Sequence, residues 1–236
     1  MINIRALTCN LLQERTYLAW SAPGHCLAVD PGCYGPDEIR TLEDLLAQES
    51  LTLDAILLTH GHFDHIFGVK ALQDRFGGIP VYLHPADEVV LDYSADMAAR
   101  LGLTPPAVDF RRTPIQDGQV LEVAGMQWEV IATPGHTPGG VCWLSREAGV
   151  MFTGDTLFAG SIGRTDFLYS EYDDEIRSIL EKLLPLDPGI RILPGHGPTS
   201  TIGRERTGNP FLEPFNEPED PADEDLEPVV IEPTWT

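Results

Sequence analysis

Lysine is scarce: Lys70 and Lys182 are the two lysines of a 236-residue chain, and thirteen arginines complete its fifteen bases. Against them stand 37 acids, giving a formal net charge of −22. A surface so poor in positive charge repels a phosphate backbone, which excludes a broad nucleic-acid-binding face. The four cysteines, Cys9, Cys26, Cys33 and Cys142, include no C-x-x-C pair. Neither a disulfide framework nor a zinc-knuckle spacing is present, so thiols in a reducing compartment are expected. No run approaches the roughly 18 consecutive apolar residues of a membrane span, and the first residues lack the apolar core of a signal peptide. A cytoplasmic protein without membrane contact is the expectation.

With 42% hydrophobic residues the chain can bury a sizeable core. Short apolar runs bounded by turn formers read as strands at Tyr17–Trp20, Cys26–Val29 and Leu53–Leu58. The same holds for segments 80–83, 120–123, 128–131, 140–144, 150–153 and 190–193. Apolar stripes at helical spacing predict helices from Pro36 to about Gln48, through Ile66, Val69, Leu72 and Phe76, and over segments 85–100 and 172–184. Clustered strands in two halves with interspersed helices suggest two packed sheets with helices outside, an α+β chain. From Glu213 to Thr236 there are nine acids and no base, with frequent proline. The expected organisation is one domain over residues 1–212 and an acidic, Pro-rich, flexible tail over 213–236.

The chemistry concentrates where strands end. Leu53–Leu58 runs directly into Thr59-His60-Gly61-His62-Phe63-Asp64-His65. Alternate residues of an extended segment share a face, so His60, His62 and Asp64 converge, and His65 joins as the chain bends into the next helix. Imidazoles with a carboxylate suit zinc or a similar borderline metal. Four ligand-type side chains within six residues exceed what one tetrahedral ion takes from a short loop, which points to two adjacent ions. Completing two shells needs donors from elsewhere. Pro134-Gly135-His136-Thr137, Thr153-Gly154-Asp155-Thr156 and Pro194-Gly195-His196-Gly197 each set a donor beside glycine at the end of a strand. Any one of these histidines alone reads equally as a turn residue satisfied by backbone; the constellation does not.

The set His60-x-His62-x-Asp64-His65, His136, Asp155, His196 resembles the metallo-β-lactamase-fold hydrolases, and most closely the short glyoxalase II-like members, over residues 1–212. The resemblance implies an αβ/βα sandwich. It implies one metal held by His60, His62 and His136, a second by Asp64, His65 and His196, and Asp155 bridging both. Two Zn2+ ions are expected, with iron or manganese as alternatives. It also implies hydrolysis of a thioester or related acyl substrate by a hydroxide shared between the ions and oriented by Asp64. A thiolate leaving group needs no dedicated general acid. Arg164, in Gly163-Arg164-Thr165-Asp166, is a candidate anion clamp, or else a lock onto Asp166. Asp30 is expected to orient a ligand or loop from behind. Cys33 and His84 are expected to be structural, and Tyr169 and Tyr172 are candidates for the mouth of the site that periodicity does not place. No helical C-terminal domain of the kind that supplies much of the glutathione site in full glyoxalase II is expected, which leaves recognition of glutathione open. A mononuclear-iron persulfide dioxygenase of the same fold is the alternative, followed by a lactonase or β-lactamase-type hydrolase.

The acidity admits two origins: a high-salt source, or an acidic chain from ordinary salt. Repulsion among carboxylates is screened by salt. A melting temperature that climbs between low and molar potassium chloride marks the first, and an unchanged one rules it out.

Overall fold

The computed structural model describes residues 2–215. Two six-stranded sheets lie face to face. The first runs in the spatial order β1 (Asn3–Cys9), β2 (Glu14–Trp20), β3 (His25–Val29), β4 (Thr52–Leu57), β5 (Val81–Leu83) and β6 (Arg112–Pro114). Its first three strands pair antiparallel and the rest parallel. The parallel pairs are joined by crossovers through helices: α1 (Gly35–Gln48) between β3 and β4, α2 (Phe63–Ile66) and α3 (Val69–Arg75) between β4 and β5, and α4 (Glu88–Arg100) between β5 and β6.

The second sheet contains β7 (Val120–Val123), β8 (Met126–Ala132), β9 (Val141–Ser145) and β10 (Val150–Gly154), all antiparallel. A small hairpin, β11 (Leu157–Phe158) and β12 (Ser161–Ile162), and the helix α5 (Tyr172–Ser178) follow. The chain returns as β13 (Arg191–Pro194), parallel to β10, then β14 (Ser200–Thr201) and α6 (Ile202–Gly208).

Strand alternation explains the layers. In β9, Val141 and Trp143 face the first sheet, while Cys142 and Leu144 face α5. In β3, Leu27 and Val29 join that inter-sheet core, while Cys26 and Ala28 pack under α1 with Leu42, Leu45 and Leu46. All of these residues are buried, which is why both faces of the central strands are apolar. The result is helix, sheet, sheet, helix.

The element expectations hold with three differences. The helix expected through Ile66 and Phe76 is split between α2 and α3, because Gly68 packs against the turn after β3. Its N–H donates to Pro31 O at 2.8 Å, and a Cβ there would stand 2.9 Å from that same oxygen. The helix expected over 172–184 becomes a π-helical turn from Ile179 to Leu183. β1, the short edge strands β6 and β14, the β11–β12 hairpin and α6 carry no sequence expectation. The tail expected from Glu213 lies, from residue 216 onward, outside the described residues. No helix among the described residues is long and apolar enough to cross a membrane.

One hydrogen bond ties the sheets together beside the histidine motif. The indole Nε1 of Trp143 donates to Leu58 O at 3.0 Å, one residue before Thr59, and the side chain is fully buried. Trp143→Phe strands that carbonyl and leaves a small void. It should cost about 1–3 kcal/mol of stability in urea unfolding; a loss below about 0.5 kcal/mol would show the bond to be dispensable.

Candidate metal centre

The motif residues meet where β4, β8, β10 and β13 end on one edge of the sandwich. His60 and His62 lie on the extended chain leaving β4, His62 with φ −66° and ψ 147°. Asp64, expected on that extended stretch, instead sits with His65 in the first turn of α2. The helical turn brings their side chains round to the second cluster. His136 follows β8, Asp155 follows β10 and His196 follows β13.

Two groups of donor atoms result. In one, single ligand atoms from His60, His62 and His136 lie within 4.8 Å of one another; in the other, atoms from Asp64, His65 and His196 do so. Asp155 stands between them. Its Oδ1 is 3.4 Å from His65 Nε2, and its Oδ2 is 3.6 Å from both His136 Nε2 and His196 Nε2. Asp64 Oδ2 is 3.3 Å from His196 Nε2 and 3.7 Å from His65 Nε2.

Each imidazole except that of His62 has its other nitrogen occupied. His136 Nδ1 donates to Arg164 O at 2.8 Å, and His196 Nδ1 to Leu12 O at 3.1 Å. His65 Nδ1 donates to Asp30 Oδ2 at 3.1 Å. The Thr59 hydroxyl donates to the same Asp30 oxygen at 2.5 Å, so it accepts from His60 Nδ1, 3.0 Å away. These bonds take up Nδ1 of four rings and turn their Nε2 atoms inward, where His136 Nε2 lies 2.9 Å from His62 Nδ1. Asp30 Oδ1 also accepts from Thr59 N at 2.7 Å. Its carboxylate also lies near His60 and His65 in a third donor group, but these bonds commit it to orienting the loop. Asp30 holds a left-handed backbone, φ 45°, to reach this position.

The residues fit a pair of cations. His60 Nε2, His65 Nε2 and Asp155 Oδ1 are buried polar atoms without a hydrogen-bond partner, and all three belong to the donor set. Burial, with His65 and His62 nearby, holds His60 far below the usual imidazole range; burial, with His136 beside it, lowers His62 to about 3. Both rings are therefore neutral donors. Burial also disfavours a charged His65, yet Asp155 and Asp64 outweigh it and push that ring well above its usual value. The two carboxylates thus draw positive charge to this spot. Gly195 is required for the approach of β13, since a Cβ there would meet Asp155 Oδ1 at 2.4 Å and the His65 ring at 2.6 Å.

Two residues behind the site, Asp87 and Glu175, carry no motif in the sequence. Asp87, fully buried, clamps two ligand loops together. Its Oδ2 accepts from Gly61 N at 2.7 Å and from the Thr137 hydroxyl at 3.0 Å, and its Oδ1 from Gly139 N at 2.6 Å. Burial pushes it up to about 6 against the pull of these donors. In sequence it looks like an ordinary acid at a helix start. Glu175, buried on α5, accepts from His136 N at 2.8 Å, and burial raises it to about 8. Neither carries a sequence signal beyond helical position.

A cleft of about 530 Å³ opens over the donors, with Phe63, Phe158 and Phe167 among its apolar walls. Arg164 lines it, and its guanidinium is paired with Asp166 at 2.8–2.9 Å, so the lock onto Asp166 is formed. Tyr169 and Tyr172 are exposed but do not line the cleft; Tyr172 borders a shallow depression with Ile176 and Leu180 instead. Tyr172 is carried away because α5 starts there and turns that face outward. His84 caps the segment after β5, accepting from Ala86 N at 3.3 Å, and Cys33 is buried 3.4 Å from the Cys9 thiol. Replacing Asp87 by Ala should leave the sandwich folded while weakening zinc affinity about 10- to 100-fold in chelator competition; unchanged affinity would show that the clamp does not position the ligands.

Comparison with known proteins agrees with this geometry. Residues 10–196 match the model of the metallo-beta-lactamase superfamily. The hydroxyacylglutathione hydrolase GloC of Haemophilus influenzae is 37% identical over 214 residues, covering 89% of this chain and 98% of its own. Among solved structures, the BLEG-1 B3 metallo-beta-lactamase superposes with a TM-score of 0.82 at 35% identity, covering 89% of this chain and 99% of its own. TTHA1623, solved in a di-iron-bound form, gives a TM-score of 0.79 at 38% identity, covering 88% and 99%. With the fold, the strand-end donors and these likenesses together, the chain belongs to the metallo-β-lactamase superfamily.

Proposed function

We propose that the chain is a dinuclear-metal hydrolase that cleaves thioesters or closely related acyl substrates. The observation that carries this reading is the second donor cluster: Asp64, His65 and His196 gather beside the first cluster, with Asp155 within 3.4–3.6 Å of rings from both. Two divalent ions, zinc or iron, would supply an activated water and a Lewis acid for the substrate carbonyl.

The chain's own residues define the rest. His60, His62 and His136 would hold one ion, and Asp64, His65 and His196 the other. Asp155 reaches both clusters through its two oxygens. Asp64 is the cluster's carboxylate that also lines the cleft floor, so it is placed to orient the attacking water. The apolar walls exclude bulk water from the reacting centre. A thiolate leaves without proton transfer, which fits a cleft whose lining holds no carboxyl or imidazole group outside the donor set. The likeness to a hydroxyacylglutathione hydrolase supports the thioester.

Hydrolysis of S-lactoylglutathione, with metal quantified on the same sample, tests this. Wild type should turn the thioester over with two ions per chain. Asp155→Ala should lose turnover by about a thousandfold or more together with bound metal. A single iron per chain with oxygen uptake on glutathione persulfide would instead establish the dioxygenase.

A further inference from the structure

The cleft differs in charge from the rest of the chain. Overall there are 37 acids to 15 bases. Yet the acids that line the cleft are Asp64 and Asp155, both in the donor set, while two arginines, Arg100 and Arg164, enter it. An anionic ligand that finds repulsion elsewhere finds positive charge here.

The two arginines are not equivalent. Arg164 is engaged by Asp166 through both arms of its fork, and it lies over Phe167 with 4.5 Å from Cζ to the ring centroid. This bidentate pair occupies the Nε–Nη2 edge of the fork and offsets its charge before any ligand arrives. Eight further bases also meet carboxylates, from Arg5 with Glu49 to Lys182 with Asp117. Arg100 makes no hydrogen bond or ion pair among the described residues. Its guanidinium is stacked instead on Tyr93 of the same helix, at 5.5 Å from the ring centroid. Stacking restrains the fork while leaving its N–H groups free.

The place of Arg100 on its helix matters as much as its freedom. Tyr93, Met97 and Arg100 are spaced along one face of α4, Leu101 follows at its C-cap, and all four line the cleft. A cation in the last turn of a helix is favourable without any ligand, but that does not account for its opening onto the cleft beside an apolar strip. The donor clusters form one end of this cleft, and the α4 face forms a wall that carries a free positive charge.

We propose that Arg100 binds a carboxylate on the non-reacting arm of the substrate, and that Tyr93, Met97 and Leu101 pack the apolar part of that arm. The inference rests on the thioesterase reading and narrows its substrates to acyl thioesters that carry an anionic group. Arg100, rather than the paired Arg164, then sets the preference for charge.

The test uses matched pairs of probes on the metal-loaded full chain. Phenylacetyl thioesters of mercaptopropionate and mercaptohexanoate are compared with those of the corresponding neutral amides. The non-hydrolysable phenylethyl thioethers of the same thiols are compared by calorimetry. Wild type should favour the carboxylate of at least one length by about fivefold, in KM and in Kd. Arg100→Gln should bring that ratio close to one, Arg100→Lys should retain part of it, and Arg164→Gln should keep it. A wild type without preference, a preference that survives Arg100→Gln, or one erased by Arg164→Gln alone overturns the assignment. If wild type hydrolyses neither these thioesters nor S-lactoylglutathione, the thioesterase reading fails, while thioether binding still decides the role of Arg100.

Discussion

Five imidazoles and two carboxylates crowd into one edge of this sandwich, and that crowding is the constraint on which the rest depends. Neighbouring donor atoms approach to 2.9–3.7 Å, and three are buried without a hydrogen-bond partner. Buried polar atoms without partners are costly, and buried charge more so. The proposed pair of cations would resolve the conflict by giving these buried nitrogens and carboxylate oxygens partners. The chain commits four loops, a strained Asp30 and a close-packed Gly195 to this arrangement. No gain in folding alone accounts for such a commitment.

What makes the centre specific is how its donors are held from behind. Leu12 O, Arg164 O, Asp30 and the Thr59 hydroxyl each take one imidazole nitrogen, so four rings present Nε2 inward. Asp87 then joins the loop of His60 and His62 to that of His136, and Glu175 anchors His136 from the opposite layer. These contacts draw on both sheets and on helices from both faces. The two halves of the sandwich are therefore joined at the site as well as through the inter-sheet core around Trp128 and Trp143.

Much of this was legible in the sequence, because the donors are local signals. His60, His62, Asp64 and His65 fall within one turn of chain after an apolar strand, and His136, Asp155 and His196 each follow a strand beside glycine. The layers were legible for the same reason: strand and helix periodicities differ, and both were strong around Leu42–Leu46 and Val141–Leu144. What was hidden depends on approach between distant segments. Asp87 meets Gly61 and Gly139, and Gly68 breaks a periodic helix only because Pro31 lies against it. Arg100 reads as a last-turn helix cation until α4 is seen to wall the cleft. Tyr172 had the right chemistry for the site mouth, but α5 carries it away.

The central claim is that two separate clusters hold two ions. Metal stoichiometry of wild type and of His196→Ala, measured by mass spectrometry on desalted protein, tests it most directly. The account predicts two ions per chain in wild type and one in the variant, since His60, His62 and His136 remain to hold the first. A single ion in wild type whose occupancy is indifferent to His196 would contradict it.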